Sequence, residues 1–280
     1  MGVEVIGVVA TSSLDKYPDF SIGFYIRSLF YKILKFSNPT LASRIHEYRG
    51  LAPFSASPLI RLEKNIYYFR FTSFDSRISE ALLDFFKKFD EVELLNSRFY
   101  LNEVVYKNLD LKKLLSESYP YQRYELEFLS PTCFRRPCPY IPLYALGPIA
   151  SILRIFNKPR SSYRYYPLPD PVLMFRNLAR LWREYGGVTI HSKRFSRWLE
   201  EGGVAIAGVE DIKTHRLIHR RRRAFVVGFT GKIRLSLPND TFNEKYARIV
   251  YALLRLGEEV QIGVNRTAGF GLYKILKTAT

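Results

Sequence analysis

Hydrophobic spacing changes period several times in the first half of the chain, and each change predicts an element. Residues 3–10, VEVIGVVA, are a β-branched run typical of a strand. In the segment SIGFYIRSLFYKILK, apolar side chains recur three or four residues apart, which predicts an amphipathic helix. These side chains are Ile22, Ile26, Leu29, Phe30 and Ile33. A short helix, LASRIHE, is expected after Asn38-Pro39 and ends at Gly50 and Pro53.

Strand and helix patterns then continue to residue 109. Two strand-like runs, SPLIRLEK and NIYYFRFTSF, flank a turn at Lys64-Asn65. The segment SRISEALLDFFKKF opens on Ser76 as a cap and predicts a second amphipathic helix. Residues 92–109 return to strand character. The resulting order, βαββαβ, is that of a ferredoxin-like domain.

The second half shows the same alternation in a more degenerate form. A strand, YELEFLSPTCF, ends in a Ser-Pro turn, and Pro137 to Pro171 are expected to form a loop, apart from a short helix around Leu146–Phe156. Two helices follow, VLMFRNLARLWREYGG and FSRWLEEGG, each stopped by glycines. Residues 205–238 predict antiparallel strands joined by a basic tip, and EKYARIVYALLRLGEEV predicts a helix before the last strand, GLYKIL.

These patterns predict an α+β protein made of two tandem ferredoxin-like (βαββαβ, RRM-like) domains with antiparallel sheets. The first domain is expected to span residues 1–122, and the second residues 123–280. The first would carry the candidate catalytic residues, and the second the basic hairpin and a glycine-rich loop.

Net charge is the outlier of the composition. The 280 residues include 43 Lys+Arg against 26 Asp+Glu, a formal charge of +17, which points to a polyanionic partner such as nucleic acid. A basic protein on a membrane surface would share this balance. The 20 Tyr and 21 Phe offer rings on which RNA bases can stack, although most must lie in the core. The first 20 residues lack a signal peptide and no apolar run reaches 18 residues, so a cytoplasmic protein without a membrane partner is expected.

The densest cationic run is HRRRRA at residues 219–224, and its arginines are predicted to hold an RNA backbone without reading bases. If the run continues a strand, alternate arginines point to opposite faces, so they cannot all touch one RNA. The predicted RNA contacts of this hairpin are Arg220, Arg221, Arg222, Arg223, Lys213 and Lys232.

Neither a metal nor a cofactor is predicted. Cys133 and Cys138 have no second pair nearby, which favours ordinary reduced thiols over a zinc site, with a cytosolic disulfide as the lesser alternative. The remaining histidines, His191, His215 and His219, lack metal-ligand spacing. The tight Asp/Glu cluster of a two-metal nuclease is also missing from the sequence.

His46 is the histidine with suitable neighbours for chemistry. Arg27, Tyr31 and Lys35 form one stripe on the preceding helix, and Arg49 follows His46 closely. Taken alone, a single histidine is more often structural. The alternative is a catalytic role for His46, in cleavage of RNA by its own 2′-hydroxyl. That reaction needs a group of near-neutral pKa, a second proton donor and cations, but no metal.

The glycine-rich segment QIGVNRTAGFG, residues 261–271, allows two interpretations. Gly263, Gly269 and Gly271 could serve a turn that needs positive φ, or they could let another group approach the backbone closely. Exposed amides beside Asn265 and Arg266 would suit an RNA phosphate. Arg27 and these five loop residues complete the set of predicted RNA contacts.

Several segments, in order, resemble the CRISPR repeat-processing endoribonucleases of the RAMP superfamily. They are the helix bearing Tyr31, then NPTLASRIHE, GLAPFSASPL, ELEFLSPTCF, PLPDPVLMFRNLARLW and GVNRTAGFGLYKI. The resemblance covers nearly the whole chain, and the terminal glycine-rich loop ending in GFG is its most specific part. It implies metal-independent cutting of precursor CRISPR RNA within the repeat, leaving a 2′,3′-cyclic phosphate and a 5′-hydroxyl.

The resemblance also assigns roles. Tyr31 and His46 match the family's acid/base pair, whereas the family's lysine, which stabilises the phosphorane, is Ala52 here. Arg49, Lys35 or Arg266 could supply that charge instead. The glycine loop is two residues shorter than the usual form, so its reach toward RNA is reduced.

The leading interpretation is therefore an endoribonuclease whose partner is CRISPR repeat RNA. An alternative is a catalytically silent RNA-binding subunit of a CRISPR interference complex, which Ala52 favours and the Tyr31/His46 pair opposes. A generic basic RNA-binding module is a third alternative, which the ordered segments oppose. The resemblance also allows a homodimer.

Overall fold

The computed structural model describes residues 2–14, 20–137, 163–187, 190, 193–219 and 224–280. The N-terminal half contains β1 (Gly2–Thr11), α1 (Ile22–Ser37), α2 (Pro39–Glu47), β2 (Phe54–Ala56), β3 (Ile60–Glu63), β4 (Ile66–Ser73), α3 (Ser76–Lys88), β5 (Glu91–Leu94) and β6 (Ser97–Asp110). After α4 (Leu111–Ser116), the C-terminal half contains β7 (Arg123–Thr132), β8 (Phe134–Pro137), β9 (Tyr163–Tyr166), α5 (Pro171–Tyr185), α6 (Lys193–Glu200), β10 (Ala205–His219), β11 (Ala224–Ser236), α7 (Glu244–Val260) and β12 (Tyr273–Ala279). A 3₁₀ turn, Arg266–Ala268, lies between α7 and β12.

Both halves form an antiparallel sheet with the same strand arrangement. In the first sheet, β1 lies between β4 and β6, with β2 and β3 beyond β4 and β5 beyond β6. In the second sheet the order is β10-β11-β7-β12. In the first half, β1 is flanked by β4, which precedes α3, and by β6, the second strand after α3. In the second half, β7 is flanked by β11, which precedes α7, and by β12, which follows it. This arrangement confirms the predicted tandem ferredoxin-like fold, while the domain boundary at residues 122 and 123 stays a prediction.

Strand β1 is buried on both faces, which explains its continuous β-branched sequence. Ile6 and Val8 pack in the core of the N-terminal half, beneath α1 and α3. Val3 and Val5 pack in the core of the C-terminal half, with residues of β7 and α7. The two halves consequently share apolar contacts through this strand.

Three expectations about local structure need correction. The predicted Ser-Pro turn is part of β7, which continues through Pro131 to Thr132 and is irregularly paired with β11 there. The Pro- and Tyr-rich stretch expected to be loop contains β9, which pairs with β8. Residues 92–109 include a two-residue turn at Leu95-Asn96, where both residues have positive φ. The helix predicted around Leu146–Phe156 lies outside the described residues.

The cap of α3 is a fourth local expectation that needs correction. Ser76 is the first helical residue, and the capping residue is Asp75, whose carboxylate accepts from the Arg77 amide at 3.1 Å. The same carboxylate accepts from the Arg77 guanidinium at 2.8 and 2.7 Å. These hydrogen bonds hold the pKa of Asp75 below its ordinary value. The Asp75 carboxyl is therefore ionised and hydrogen-bonded at neutral pH.

Asp75→Ala is expected to lower the free energy of unfolding by about 1 kcal/mol at pH 7, the usual cost of losing an N-cap. Ser76→Ala, the matched control, should change it by less than about 0.5 kcal/mol. Because folding lowers the pKa, the contribution is fully present above the unfolded pKa of about 4 and is lost as the pH falls through the lower pKa of the folded state. Urea unfolding of both variants at pH 7 and at successive pH values below 4 measures this, and equal effects of the two alanines would contradict the assignment.

Candidate functional site

The turn between α1 and α2 brings Tyr31 and His46 together. Asn38 separates the helices, and its side-chain oxygen accepts from the Leu41 amide at 3.0 Å, which caps α2. Pro39 occupies the first helical position, where its missing N–H costs nothing. Helix α2 then folds back on α1, so that the Tyr31 and His46 rings meet edge to face with centroids 5.2 Å apart.

Tyr31 is half-buried on the flank of α1. Its ring packs edge to face on Phe54, at 5.7 Å between centroids, and Phe54 in turn stacks on Phe30 at 3.9 Å. Burial raises the pKa of Tyr31, and the nearby Arg27 opposes that rise. The phenol is therefore a hydroxyl at neutral pH and can donate a hydrogen bond. His46 is exposed beside it and open to a ligand.

Arg27, one of the predicted RNA contacts, lies against the Tyr31 ring of this pair. Its guanidinium carbon lies 5.8 Å from the centroid of the Tyr31 ring, one turn before Tyr31 on α1. Lys35 and Arg49 are exposed, on the next turn of α1 and just after α2. Arg27 therefore brings positive charge to the Tyr31 ring, and Lys35 and Arg49 are accessible cations near it in the sequence.

Arg266 does not point into this site. Its side chain is buried, with 4% of its surface exposed, and it donates to the carbonyls of Val260 at 2.8 Å and Ala52 at 3.0 Å. Burial lowers the pKa of Arg266 to about 10, so it stays charged at neutral pH. The prediction that Arg266 contacts RNA or supplies the missing charge is corrected, because its guanidinium is bonded to two backbone carbonyls.

The glycine loop faces protein and is buried at each of its three glycines. Gly263, Gly269 and Gly271 all have positive φ, between 78° and 83°. A Cβ at Gly263 would lie 2.3 Å from the Cys133 carbonyl oxygen, and one at Gly269 would lie 2.9 Å from the Cα of Gly23 in α1. Both earlier interpretations therefore hold in part: the turn needs positive φ, and the group that approaches closely is the protein's own backbone.

Loop amides that were predicted to face a phosphate already have protein partners. Gly263 donates to the Asn177 side chain at 2.8 Å, and Gly271 donates to the Pro131 carbonyl at 3.1 Å. Asn265 adopts the left-handed conformation, and its carbonyl accepts from the Ala268 amide at 2.8 Å. The structure thus gives these residues a packing role, and a direct RNA contact at the glycines finds no support in it.

The basic hairpin lies beside the N-terminal end of α1. Leu217 of β10 packs in a small cluster with Ala268 and Phe270 of the glycine loop, against Phe20 and Phe24. This cluster docks the hairpin onto both the loop and α1. The hairpin consequently lies against the start of the helix that carries Arg27 and Tyr31.

The predicted contacts on this hairpin differ in exposure. Lys213 is exposed on β10, and Lys232 is half-buried on β11, paired across the strands with Glu210 and Glu127. The four arginines of the tip, Arg220, Arg221, Arg222 and Arg223, lie outside the described residues. His215 bonds Thr230 at 2.7 Å and packs on Phe20 at 4.9 Å, which gives it a structural role.

Within the described ranges, no group of three His, Cys, Asp or Glu side chains comes together in a form that could hold a metal ion. Cys133 is free and buried, and burial raises its pKa to about 12. Cys138 and His191 lie outside the described residues. Among the helices that are described, none is long and apolar enough to cross a membrane.

Two ferredoxin-like sheets in one chain, with a glycine-rich loop packed between them, define a protein of the RAMP class. The family model for the CRISPR-associated endoribonuclease Cas6 matches residues 126–273, more than half of the chain. The chain therefore belongs to the Cas6 family.

Individual relatives agree with this assignment. CRISPR-associated endoribonuclease Cas6 of Pyrococcus furiosus is 33% identical over 94 residues, 29% of this chain and 35% of that protein. The match therefore spans about a third of that relative's length. A product complex of Thermus thermophilus Cas6 superposes with a TM-score of 0.75 at 22% identity, covering 98% of this chain and 99% of the other.

A second Cas6 product complex superposes with a TM-score of 0.73 at 18% identity, covering 99% of this chain and 100% of the other. The structure of a Cas6-related protein from Pyrococcus furiosus gives 0.58 at 15% identity, with 99% of each chain covered. At these identities the superpositions support the fold alone.

Proposed function

We propose that this protein is a metal-independent endoribonuclease that binds CRISPR repeat RNA and cuts precursor CRISPR RNA within the repeat. The observation that carries the proposal is the edge-to-face contact of Tyr31 and His46, 5.2 Å between ring centroids, on a face that also presents Arg27. Membership of the Cas6 endoribonuclease family supports the same reaction class.

The proposed step is a transesterification that consumes no water. The 2′-oxygen attacks the adjacent phosphorus, and the bond from phosphorus to the 5′-oxygen of the next nucleotide breaks. One proton leaves the 2′-hydroxyl and one joins the departing 5′-oxygen, which gives a 2′,3′-cyclic phosphate and a 5′-hydroxyl. Acid and base groups each accelerate such a step, typically about 10²–10⁴-fold.

Tyr31 and His46 have complementary properties for these two proton transfers. His46 is exposed, and a neutral imidazole can take the proton from the 2′-hydroxyl. The raised pKa of Tyr31 keeps its phenol protonated, so it can orient the 2′-hydroxyl or protonate the leaving oxygen. The opposite assignment, with His46 as the acid, uses the same two groups.

Developing negative charge on the phosphorane needs a cation where Ala52 provides none. Arg27 is half-buried beside Tyr31 and is the first candidate, followed by Lys35 and Arg49. Losing one such donor commonly costs about 10²–10³-fold in rate. We therefore expect slower cutting than an intact lysine site would give. Lys213 and Lys232, with the arginines 220–223, would hold the RNA backbone.

A second candidate function is a catalytically silent RNA-binding subunit of a CRISPR interference complex. Ala52 favours it, because the residue at this position can hold no charge. Association with interference-complex subunits belongs to this second proposal, whereas a homodimer is compatible with either function. The two functions share the fold and the basic face, and they differ only in whether bound RNA is cut.

Incubating the purified protein with labelled repeat RNA in EDTA distinguishes the two functions. We expect one cut that persists in EDTA and disappears when the scissile nucleotide carries a 2′-deoxy sugar. The control substrate carries the 2′-deoxy sugar one nucleotide downstream and should be cut normally. Tight binding with no cut in any substrate would favour the silent subunit, and cutting of the scissile 2′-deoxy substrate would exclude attack by the 2′-hydroxyl.

A further inference from the structure

The backbone that follows α2 is held from the C-terminal half of the protein by two side chains. The Arg266 guanidinium donates to the Ala52 carbonyl at 3.0 Å, and the Tyr185 hydroxyl donates to the Leu51 carbonyl. Arg266 comes from the glycine loop, and Tyr185 is the last residue of α5. Two separate elements therefore converge on adjacent peptide groups just after the helix that carries His46.

A buried arginine is costly unless its charge and its N–H groups are satisfied. Arg266 is 4% exposed, and within the described ranges no carboxylate forms an ion pair with it. Its partners are two carbonyls, that of Val260 at the end of α7 and that of Ala52. The side chain thus ties the end of a C-terminal helix to the segment after α2.

Tyr185 makes an independent contact to the same segment. Its ring stacks on Phe74 with centroids 4.5 Å apart and an interplanar angle of 18°. Burial raises the pKa of Tyr185, so the hydroxyl stays protonated and donates. Phe74 directly follows β4. Tyr185 therefore contacts the N-terminal half twice, through its ring on Phe74 and through its hydroxyl on the Leu51 carbonyl.

This segment connects directly to the Tyr31 and His46 rings. It begins where α2 ends, one residue after His46, and it leads into β2, which starts at Phe54. Phe54 packs on the Tyr31 ring at 5.7 Å. A shift of the Leu51 and Ala52 peptides would therefore move both the end of α2 and the residue that supports Tyr31.

We propose that Arg266 and Tyr185 are positioning residues for the Tyr31/His46 pair. Together they form a carbonyl clamp, through which the C-terminal half sets the geometry of a site built on N-terminal helices. The clamp touches no RNA, so it governs the rate of cutting rather than RNA affinity. This inference rests on the proposed function for its effect on cleavage, and on the structure alone for its effect on the segment.

The test compares Arg266→Met, Arg266→Lys and Tyr185→Phe with two matched controls. In Arg248→Met an arginine loses a bond to a remote carbonyl, that of Ser118. In Tyr273→Phe a buried tyrosine loses its bond to the Leu254 carbonyl. Each variant is assayed for single-turnover cleavage of repeat RNA, for RNA dissociation constant, and for hydrogen exchange of the backbone amides of residues 46–52.

Arg266→Met is expected to slow cleavage about 10- to 100-fold, because displacement of about 1 Å in a reacting geometry can cost 10²-fold. Tyr185→Phe should give a smaller loss of the same kind, and Arg266→Lys should recover part of the rate. Affinity should stay within about 2-fold in all three, since only the chemical step depends on the clamp. Exchange of residues 46–52 should quicken in Arg266→Met and Tyr185→Phe, but not in the controls.

Two results would overturn the clamp: unchanged cleavage in both Arg266→Met and Tyr185→Phe, or unchanged exchange of residues 46–52 in both. If Arg266→Met does not fold, Tyr185→Phe alone decides. A wild-type protein that binds RNA but never cuts it would defeat the proposed function, and the exchange measurement would still accept or reject the clamp. Failure of one proposal is therefore distinguishable from failure of the other.

Discussion

His46→Ala is expected to lower the single-turnover rate of repeat-RNA cleavage about 10²–10⁴-fold, the range that a proton-transfer group usually contributes. An imidazole can both accept and donate a proton in a cleavage step, and alanine can do neither. RNA affinity should remain within about 2-fold, because backbone binding depends on the surrounding cations. Comparing rate and dissociation constant in one preparation measures both effects.

Glu47→Ala is the matched control for this substitution. Glu47 is the next residue on α2 and is exposed like His46, so its replacement changes the same helix without removing the imidazole. It should leave the cleavage rate within about 2-fold and the melting temperature within about 2 °C, as surface substitutions usually do. A His46→Ala protein that cuts at the wild-type rate would remove His46 from the mechanism and leave the silent-subunit function as the better account.

Local patterns in the sequence were sufficient for most of the fold. The apolar spacing of α1 predicts the face that is buried, and β1 is the strand that its β-branched run indicates. The errors occur where a choice depends on neighbours that sequence spacing cannot identify. Asp75 and Ser76 are both good caps, and only the backbone geometry selects Asp75. Strand β9 forms because β8 pairs with it, within a stretch whose composition favours loop.

The candidate site also contains some residues that the sequence identified and others that it did not. The sequence pattern already drew attention to His46 and to the helical stripe with Tyr31, and the family resemblance gave the two residues their roles. Their contact follows from the short Asn38-Pro39 turn between two predicted helices. Arg266 is different, because its partner Ala52 is 214 residues away in the sequence. Tyr185 carried no signal at all, since a tyrosine at the end of an amphipathic helix is ordinary. Contacts of this range are set by how the two halves pack, which periodicity does not encode.

Glycine positions are a further case in which the sequence raised a question that packing answers. Three glycines in the final loop could reflect a turn or the approach of RNA. The atoms that crowd them belong to Cys133, Gly23 and Ile262, all backbone. The glycines are therefore required for the close packing of the loop against β7 and α1, whether or not RNA is bound.

Gly271→Ala is expected to lower the thermal midpoint by at least about 10 °C, since crowding that backbone must relieve costs more than about 4 kcal/mol. A Cβ at this position would lie 1.8 Å from the Ile262 carbonyl oxygen, and that peptide is fixed because the Ile262 amide donates to the Gly271 carbonyl at 3.0 Å. The positive φ of 78° adds a second cost for any residue with a side chain.

Gly202→Ala separates the two costs. Gly202 also has a positive φ, 89°, but a Cβ there meets nothing within 4 Å. This variant should therefore show the backbone cost alone, about 1–2 kcal/mol, and a fall of only about 2–8 °C. Melting curves of the two alanine variants and the wild type, recorded without RNA, make the comparison. Equal shifts would mean that the loop can move away from Ile262, and that its glycines are needed for conformation only. A much larger shift for Gly271→Ala would show that close backbone packing, independent of RNA, is what these glycines provide.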